Sequence, residues 1–254
     1  MSFRKTIIKV EGLTAAFGED VILRDVSFEV KQGEVVVIAG GSGCGKSTLL
    51  KHMIGLHELA AGRVTINDVD VTTAGEAQMA RLRQHIGVTF QSGALLGSLT
   101  VLENIMLPLV DFTDLNQKTA QMVAKMKLAL VGLTGYENHL PSEISGGMMK
   151  RAGLARALAL DPVVLFFDEP SAGLDPITSA ELDLLINSLN AGLGTTMVIV
   201  THELASIFNI AHRVIMLDKS AKGIIAQGSP EKLKNESTDP RVVNFFRRKA
   251  PEEA

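Results

Sequence analysis

Cysteine is nearly absent: the chain of 254 residues holds one, Cys44. No intramolecular disulfide can form, which excludes a small secreted domain built on cross-links. A basic excess is missing too, with 25 Lys and Arg against 28 Asp and Glu and a formal net charge of −3. A protein that neutralises a nucleic-acid backbone needs surplus cations, so the balance speaks against nucleic acid as a partner. Long apolar runs are lacking as well. Val35–Ala39 and Val163–Phe167 span five residues each, against the roughly 20 that cross a bilayer. The opening Met-Ser-Phe-Arg-Lys-Thr has no apolar signal core. The expectation is a soluble protein of a reducing compartment that meets a membrane only through a partner. No tandem repeat or low-complexity linker interrupts the chain.

What is present reads as a globular α/β chain, 46% hydrophobic and 21% charged. The length suits one large domain, or a domain carrying an insertion. Val26, Phe28 and Val30 alternate with polar residues, the habit of a half-buried antiparallel strand. Val35–Ala39, Val163–Phe167, Thr196–Thr201 and Val214–Leu217 are continuous apolar runs, as in strands covered on both faces. Helical patterns lie near 46–54, 116–131, 146–159, 178–191 and 203–211. Such alternation predicts a mostly parallel sheet with helices on both faces. Asn67-Asp68, after the strand-like Arg63–Ile66, predicts a turn. From about 92 to 160 several helical patterns occur without a convincing strand, too long a stretch for a connection, so an inserted helical subdomain is expected.

Gly40-Gly41-Ser42-Gly43-Cys44-Gly45-Lys46-Ser47 fits G-x-x-x-x-G-K-[ST], directly after a buried strand and before a helix pattern. Glycines let the backbone take positive φ and bring N–H groups around an anion. The helix that follows points its positive end at the same phosphates. Lys46 adds a charge for the β and γ phosphates, and Ser47 offers a hydroxyl to Mg²⁺. Cys44 admits two readings. Either any small residue fits there, or the helix start lowers the thiol pKa and makes it redox-sensitive.

Val163–Phe167 ends in Asp168 and Glu169, 122 residues beyond Lys46 for Asp168. A βαβ crossover takes about 30 residues, so the separation again demands an insertion. Neighbouring strand residues point to opposite sides. Asp168 is assigned to the Mg²⁺ shell, as in phosphate-loop NTPases, and Glu169 to orienting or deprotonating the attacking water. Further on, Ser145 can cap a helix that carries the stripe Met148, Ala152, Ala155 and Ala159. Gly146-Gly147 opens that helix start for an anion.

Ile144-Ser145-Gly146-Gly147-Met148 resembles the signature motif of ABC-type ATPases, and the resemblance extends over nearly the whole chain. Gln91, after Ile86–Phe90, looks like the Q-loop glutamine linked to Mg²⁺ and facing a membrane subunit. Ser171-Ala172-Gly173-Leu174-Asp175 looks like the D-loop, with Asp175 placed near nucleotide. His202 looks like the switch histidine at the γ-phosphate. Phe17 resembles the aromatic that stacks on adenine, with core packing as its other reading.

The resemblance implies a fold and a set of site residues. The fold class is α/β, a phosphate-loop core with a RecA-like, mostly parallel sheet, an antiparallel β subdomain and an inserted helical subdomain. One ABC-type domain would cover 1–254: core 1–91 and 160–238, helical subdomain 92–159, tail 239–254. ATP and Mg²⁺ are the implied cofactors. Gly40, Gly41, Ser42, Gly43, Cys44, Gly45, Lys46, Ser47 and Thr48 would hold phosphates. Ser47, Gln91 and Asp168 would hold Mg²⁺, and Glu169, His202 and Lys46 would act in hydrolysis.

The same resemblance bears on partners. With one phosphate loop and one signature, a head-to-tail homodimer would enclose two nucleotides. Met148 stands where the wider family usually has Gln. Together with Phe90-Gln91-Ser92-Gly93-Ala94-Leu95, Pro141-Ser142-Glu143 and Asp239-Pro240-Arg241-Val242, it is similar to ATPases of Mla- and Mce-type lipid transporters. That implies a polytopic permease touching 91–108, periplasmic lipid-binding and small cytoplasmic accessory subunits, and a place at the cytoplasmic face of a bacterial inner membrane. A soluble ABC-type ATPase of a ribosome or nucleic-acid machine is the alternative, although such chains usually carry two cassettes or a long coiled-coil insertion. A regulator without turnover is a third reading, opposed by Glu169 and His202. Val242, Phe245 and Phe246 form an apolar face on a short helix, which packs on its own domain or docks on a partner.

Overall fold

A computed structural model of the chain describes residues 5–247. Of the expected tail 239–254, residues 248–254 lie outside the described residues. The strands are β1 (Thr6–Phe17), β2 (Asp20–Lys31), β3 (Val35–Gly40), β4 (Ala61–Ile66) and β5 (Val69–Asp70), then β6 (Ile86–Thr89), β7 (Val164–Asp168), β8 (Thr196–Val200), β9 (Arg213–Asp218) and β10 (Gly223–Gly228). The helices are α1 (Lys46–Met53), α2 (Glu76–His85), α3 (Val101–Phe112), α4 (Gln117–Leu130) and α5 (Gly146–Ala157), then α6 (Pro176–Leu193), α7 (Leu204–Ile210), α8 (Pro230–Glu236) and α9 (Pro240–Arg247). No helix among the described residues is long and apolar enough to cross a membrane.

Two compact units divide the chain: Met1–Leu82 with Thr196–Ala254, and Arg83–Thr195. In the first, β2-β1-β4-β5 form an antiparallel sheet. Its β2 alternates as Val26, Phe28 and Val30 require, each of them buried. The other strands of this unit pair β3 with β8 and β3 with β9 in parallel, and β9 with β10 antiparallel. Every residue of β3 and β8 is buried, which is why these strands read as unbroken apolar runs. Asn67 and Asp68 have φ 47° and 65° and close the β4–β5 hairpin, since a two-residue hairpin turn of this kind needs positive φ at both central positions.

A half-buried ion pair anchors the base of this unit. Arg213 grips Glu34 through Nε at 2.7 Å and Nη2 at 3.0 Å, and Nη2 also donates to the Glu29 carbonyl. Burial would raise the Glu34 carboxyl, but the Arg213 bonds and the Lys31 amide outweigh it and hold it below the usual range. The described part of the tail, α9, packs on its own unit. Val242 and Phe246 of α9 are buried, and the Phe246 ring meets Phe208 at 5.8 Å in a T-shape. Arg241 binds Asp218 at 2.9 Å.

The second unit holds the parallel pair β6–β7 and helices α3–α6. It takes in β6, β7 and α6 as well as the stretch 92–159, which contains no strand. α5 packs on α3, α4, β6 and α6. Its buried side, Ala152, Leu154 and Ala155, includes two members of the expected stripe, while Met148 at the start is half-buried. Thr100 and Glu103 form a capping box that starts α3. The wholly buried Asn104 accepts from Leu96 N at 2.7 Å and donates to the carbonyls of Leu96, Leu99 and Thr100, pinning the preceding loop.

Candidate active site

β3 runs straight into the glycine loop, and the loop into α1. Gly40 has φ 147°, and a Cβ there would stand 2.3 Å from the Leu217 carbonyl oxygen and 2.7 Å from Cys44 Sγ. Only glycine fits. Gly43 and Gly45 take φ 71° and 98°. At Gly41 and Gly43 a Cβ would meet nothing within 4 Å, and Gly41, Ser42 and Gly43 are exposed, so this backbone opens outward. Gly45 starts α1 with no side-chain cap and no acidic residue follows in the first turn. The helix start therefore keeps its positive character for an incoming anion. Lys46 Nζ folds back to donate to the carbonyls of Gly40 at 2.9 Å and Gly41 at 3.0 Å. Ser47 and Thr48 follow in the first turn of α1, both half-buried.

The structure corrects the redox reading of Cys44. Its side chain is 2% exposed, and burial pushes the thiol pKa up in spite of the neighbouring Lys46 charge. The small-residue reading is the one that fits. Phe17, at the end of β1, is 52% exposed, which rejects core packing for it. His57 meets its ring edge-on at 5.7 Å and His52 lies at 6.1 Å. His202 is exposed just past β8. The register Ile38↔Val200 carries Gly40 and His202 to the same end of two neighbouring parallel strands, and Thr201 N donates to the Ile38 carbonyl at 3.2 Å.

The second unit carries the remaining candidates. Asp168 closes β7 and is 8% exposed, and Glu169 follows at φ 49°. The register Thr89↔Phe167 brings Gln91, which is exposed, and Glu169, which is half-buried, to the same end of the β6–β7 pair. Ser145 caps α5 as its sequence predicts, accepting from Met148 N at 3.2 Å. Gly146 and Gly147 follow, and a Cβ on Gly147 would stand 2.5 Å from Thr178 Cγ2. Asp175 caps α6, accepting from Ile177 N at 3.0 Å, Thr178 N at 3.1 Å and Thr178 Oγ1 at 2.5 Å. The Thr178 hydroxyl and amide hold its carboxyl below the usual range. Motif reading missed Lys150, Gly153 and Arg156, which bind the loop after β6. Their three-residue spacing is visible in the sequence, but the loop they hold is not.

Residues 23–172 match the family model described as ABC transporter. The chain belongs to the ABC transporter family. A probable ribonucleotide transport ATP-binding protein, mkl, of Mycobacterium tuberculosis is 44% identical to this ABC protein over 82% of the chain. The chain spans 56% of the length of that relative. The intermembrane phospholipid transport system ATP-binding protein MlaF of Haemophilus influenzae is 37% identical over 96% of the chain and 91% of its own length. Among solved structures, a dimeric post-hydrolysis state of the ATP-binding cassette MJ0796 bound to ADP and Pi matches with a TM-score of 0.79 and 30% identity, over 88% of this chain and 99% of that one. The cbiO1 structure from Clostridium perfringens, part of the cbiONQ ABC transporter complex, matches with a TM-score of 0.83 and 28% identity, over 95% and 96%.

Proposed function

We propose that this ABC protein is the ATP-hydrolysing subunit of a transporter that energises phospholipid movement between inner and outer membranes. The observation that carries the reading is the glycine loop: an outward-facing backbone, an uncapped helix start and Lys46 in one place. Near end-to-end similarity to proteins named for intermembrane phospholipid transport supports the cargo. In this reading Lys46 trades its carbonyl partners for β and γ phosphate oxygens, and the amides of Gly41–Thr48 surround the same charge. Phe17 offers an exposed ring to adenine, a contact worth about 1–3 kcal/mol.

The hydroxyl of Ser47, the amide oxygen of Gln91 and the carboxylate of Asp168 are hard oxygen donors of the kind Mg²⁺ takes. Bound there, the ion would neutralise phosphate charge. Glu169 orients and deprotonates the attacking water, and His202 donates to the γ-phosphate. Ser145, Gly146 and Gly147 face the nucleotide of a second copy, making a head-to-tail homodimer. Asp175 adjoins that contact. Residues 91–108 meet a polytopic permease, with periplasmic lipid-binding and small cytoplasmic accessory subunits completing the assembly at the cytoplasmic face of the inner membrane. No nucleic acid takes part.

Magnesium-dependent ATP turnover by the purified chain tests the chemistry. Glu169→Gln is expected to bind ATP and lose about 10²–10⁴-fold in kcat. Purification from detergent-solubilised membranes tests the assembly, with a polytopic companion and bound phospholipid expected. Recovery with ribosomes instead would favour the soluble machine.

A further inference from the structure

One side of α5 holds the loop that follows β6 by its backbone. Lys150 Nζ donates to the Gln91 carbonyl and, at 3.4 Å, to the Glu169 carbonyl. Arg156 donates to the carbonyls of Gly93 at 3.1 Å and Ala94 at 2.9 Å. Between them, a Cβ on Gly153 would stand 2.9 Å from the Gly93 carbonyl oxygen, so the loop lies directly on the helix. Residues three apart on a helix are neighbours on its surface, which lets the three act along one edge.

Glu169 is the second anomaly. Its φ of 49° is a conformation that residues with a Cβ rarely adopt, and one that persists only where the surroundings hold it. Its carbonyl oxygen accepts from Ala172 N at 3.2 Å and from Lys150. An ammonium suits this place, having three donors and no acceptor, and charge-assisted bonds are the stronger kind.

We infer that Lys150 is a positioning residue that ties the Gln91 and Glu169 carbonyls together and thereby sets the backbone from which the Glu169 carboxylate works. The inference rests on Glu169 being the general base of the proposed hydrolysis. A shift of the loop at Gln91, the segment assigned to the permease, then reaches Glu169 through one side chain.

Steady-state ATPase kinetics on the full chain test this, with Lys150→Met, Lys150→Arg, Glu169→Gln and the double variant. Lys150→Met is expected to keep KM within about twofold while kcat falls about 10- to 100-fold. Lys150→Arg restores kcat to within about threefold, because the guanidinium keeps both charge and donors. In the Glu169→Gln background Lys150→Met changes residual turnover by less than about twofold, since no carboxylate is left to position. Wild-type kcat in Lys150→Met overturns the inference. So do losses that multiply in the double variant, or a KM that rises together with a falling melting temperature. If Lys150→Met does not fold, Lys150→Gln carries the same measurements and the same criteria. A wild-type chain without magnesium-dependent turnover overturns this inference and the parent reading together. Turnover that depends on Glu169 but not on Lys150 overturns this one alone.

Discussion

Two glycine-rich helix starts, one in each compact unit, solve the same problem differently. α1 begins at Gly45 with no side-chain cap, and Lys46 lies across the mouth of its loop. α5 begins at Ser145, whose hydroxyl already satisfies the Met148 amide, and its first turn carries no charged side chain. An uncapped start with a lysine is a complete anion cradle. A capped start without one contributes dipole and backbone, and needs its charge partner supplied by other residues. This is the physical asymmetry expected of a phosphate loop and a signature segment.

The largest break in that comparison is Lys46→Ala. Losing a charge-assisted contact to phosphate should weaken ATP binding by about 1.5–3 kcal/mol, read by calorimetry. An unchanged affinity would remove the distinction between the two helix starts. Glu34→Gln comes next, at about 2 kcal/mol of stability near neutral pH, read from denaturant unfolding. The depressed Glu34 carboxyl contributes stability above its unfolded pKa of about 4.3 and loses it as pH falls through the lower folded value. The gap between wild type and variant should therefore close on acidification.

Gly40→Ala should cost about 1–3 kcal/mol and impair nucleotide binding, because the new methyl meets the Leu217 carbonyl. Ser145→Ala should cost only about 1 kcal/mol, seen as a small fall in melting temperature, with the affinity of a single copy for ATP preserved. At the small end, the buried Cys44 thiol should resist alkylation near pH 7, and peroxide should leave turnover unchanged.

Much of this architecture was legible beforehand. β3, β7 and β8 read as strands because each residue in them is buried, so no alternation interrupts the apolar run. The helix start at Ser145 followed from its cap. β1 was not legible: register shifts around Val10, Leu13 and Ala15 break the period of two over its length. The polar surface helix α2 gave little periodicity to read, with Met79 and Leu82 its only buried residues. Of the two readings of Cys44, the small-residue one fits, because burial raises the thiol pKa more than the neighbouring Lys46 charge lowers it. The sequence leaves Phe17 open between adenine stacking and core packing, because an aromatic at a strand end suits either, and only its exposure decides.

Local chemistry is written in consecutive residues, so the sequence alone determined the glycine loop before Lys46, the acidic strand end, the Ser145 cap of α5 and the family pattern. Tertiary structure decided which carbonyls Lys150 and Arg156 would grip, why Gly40 tolerates no side chain, and that α9 folds back onto Phe208. Those contacts join residues far apart along the chain. Their partners are chosen by packing, which no local pattern encodes.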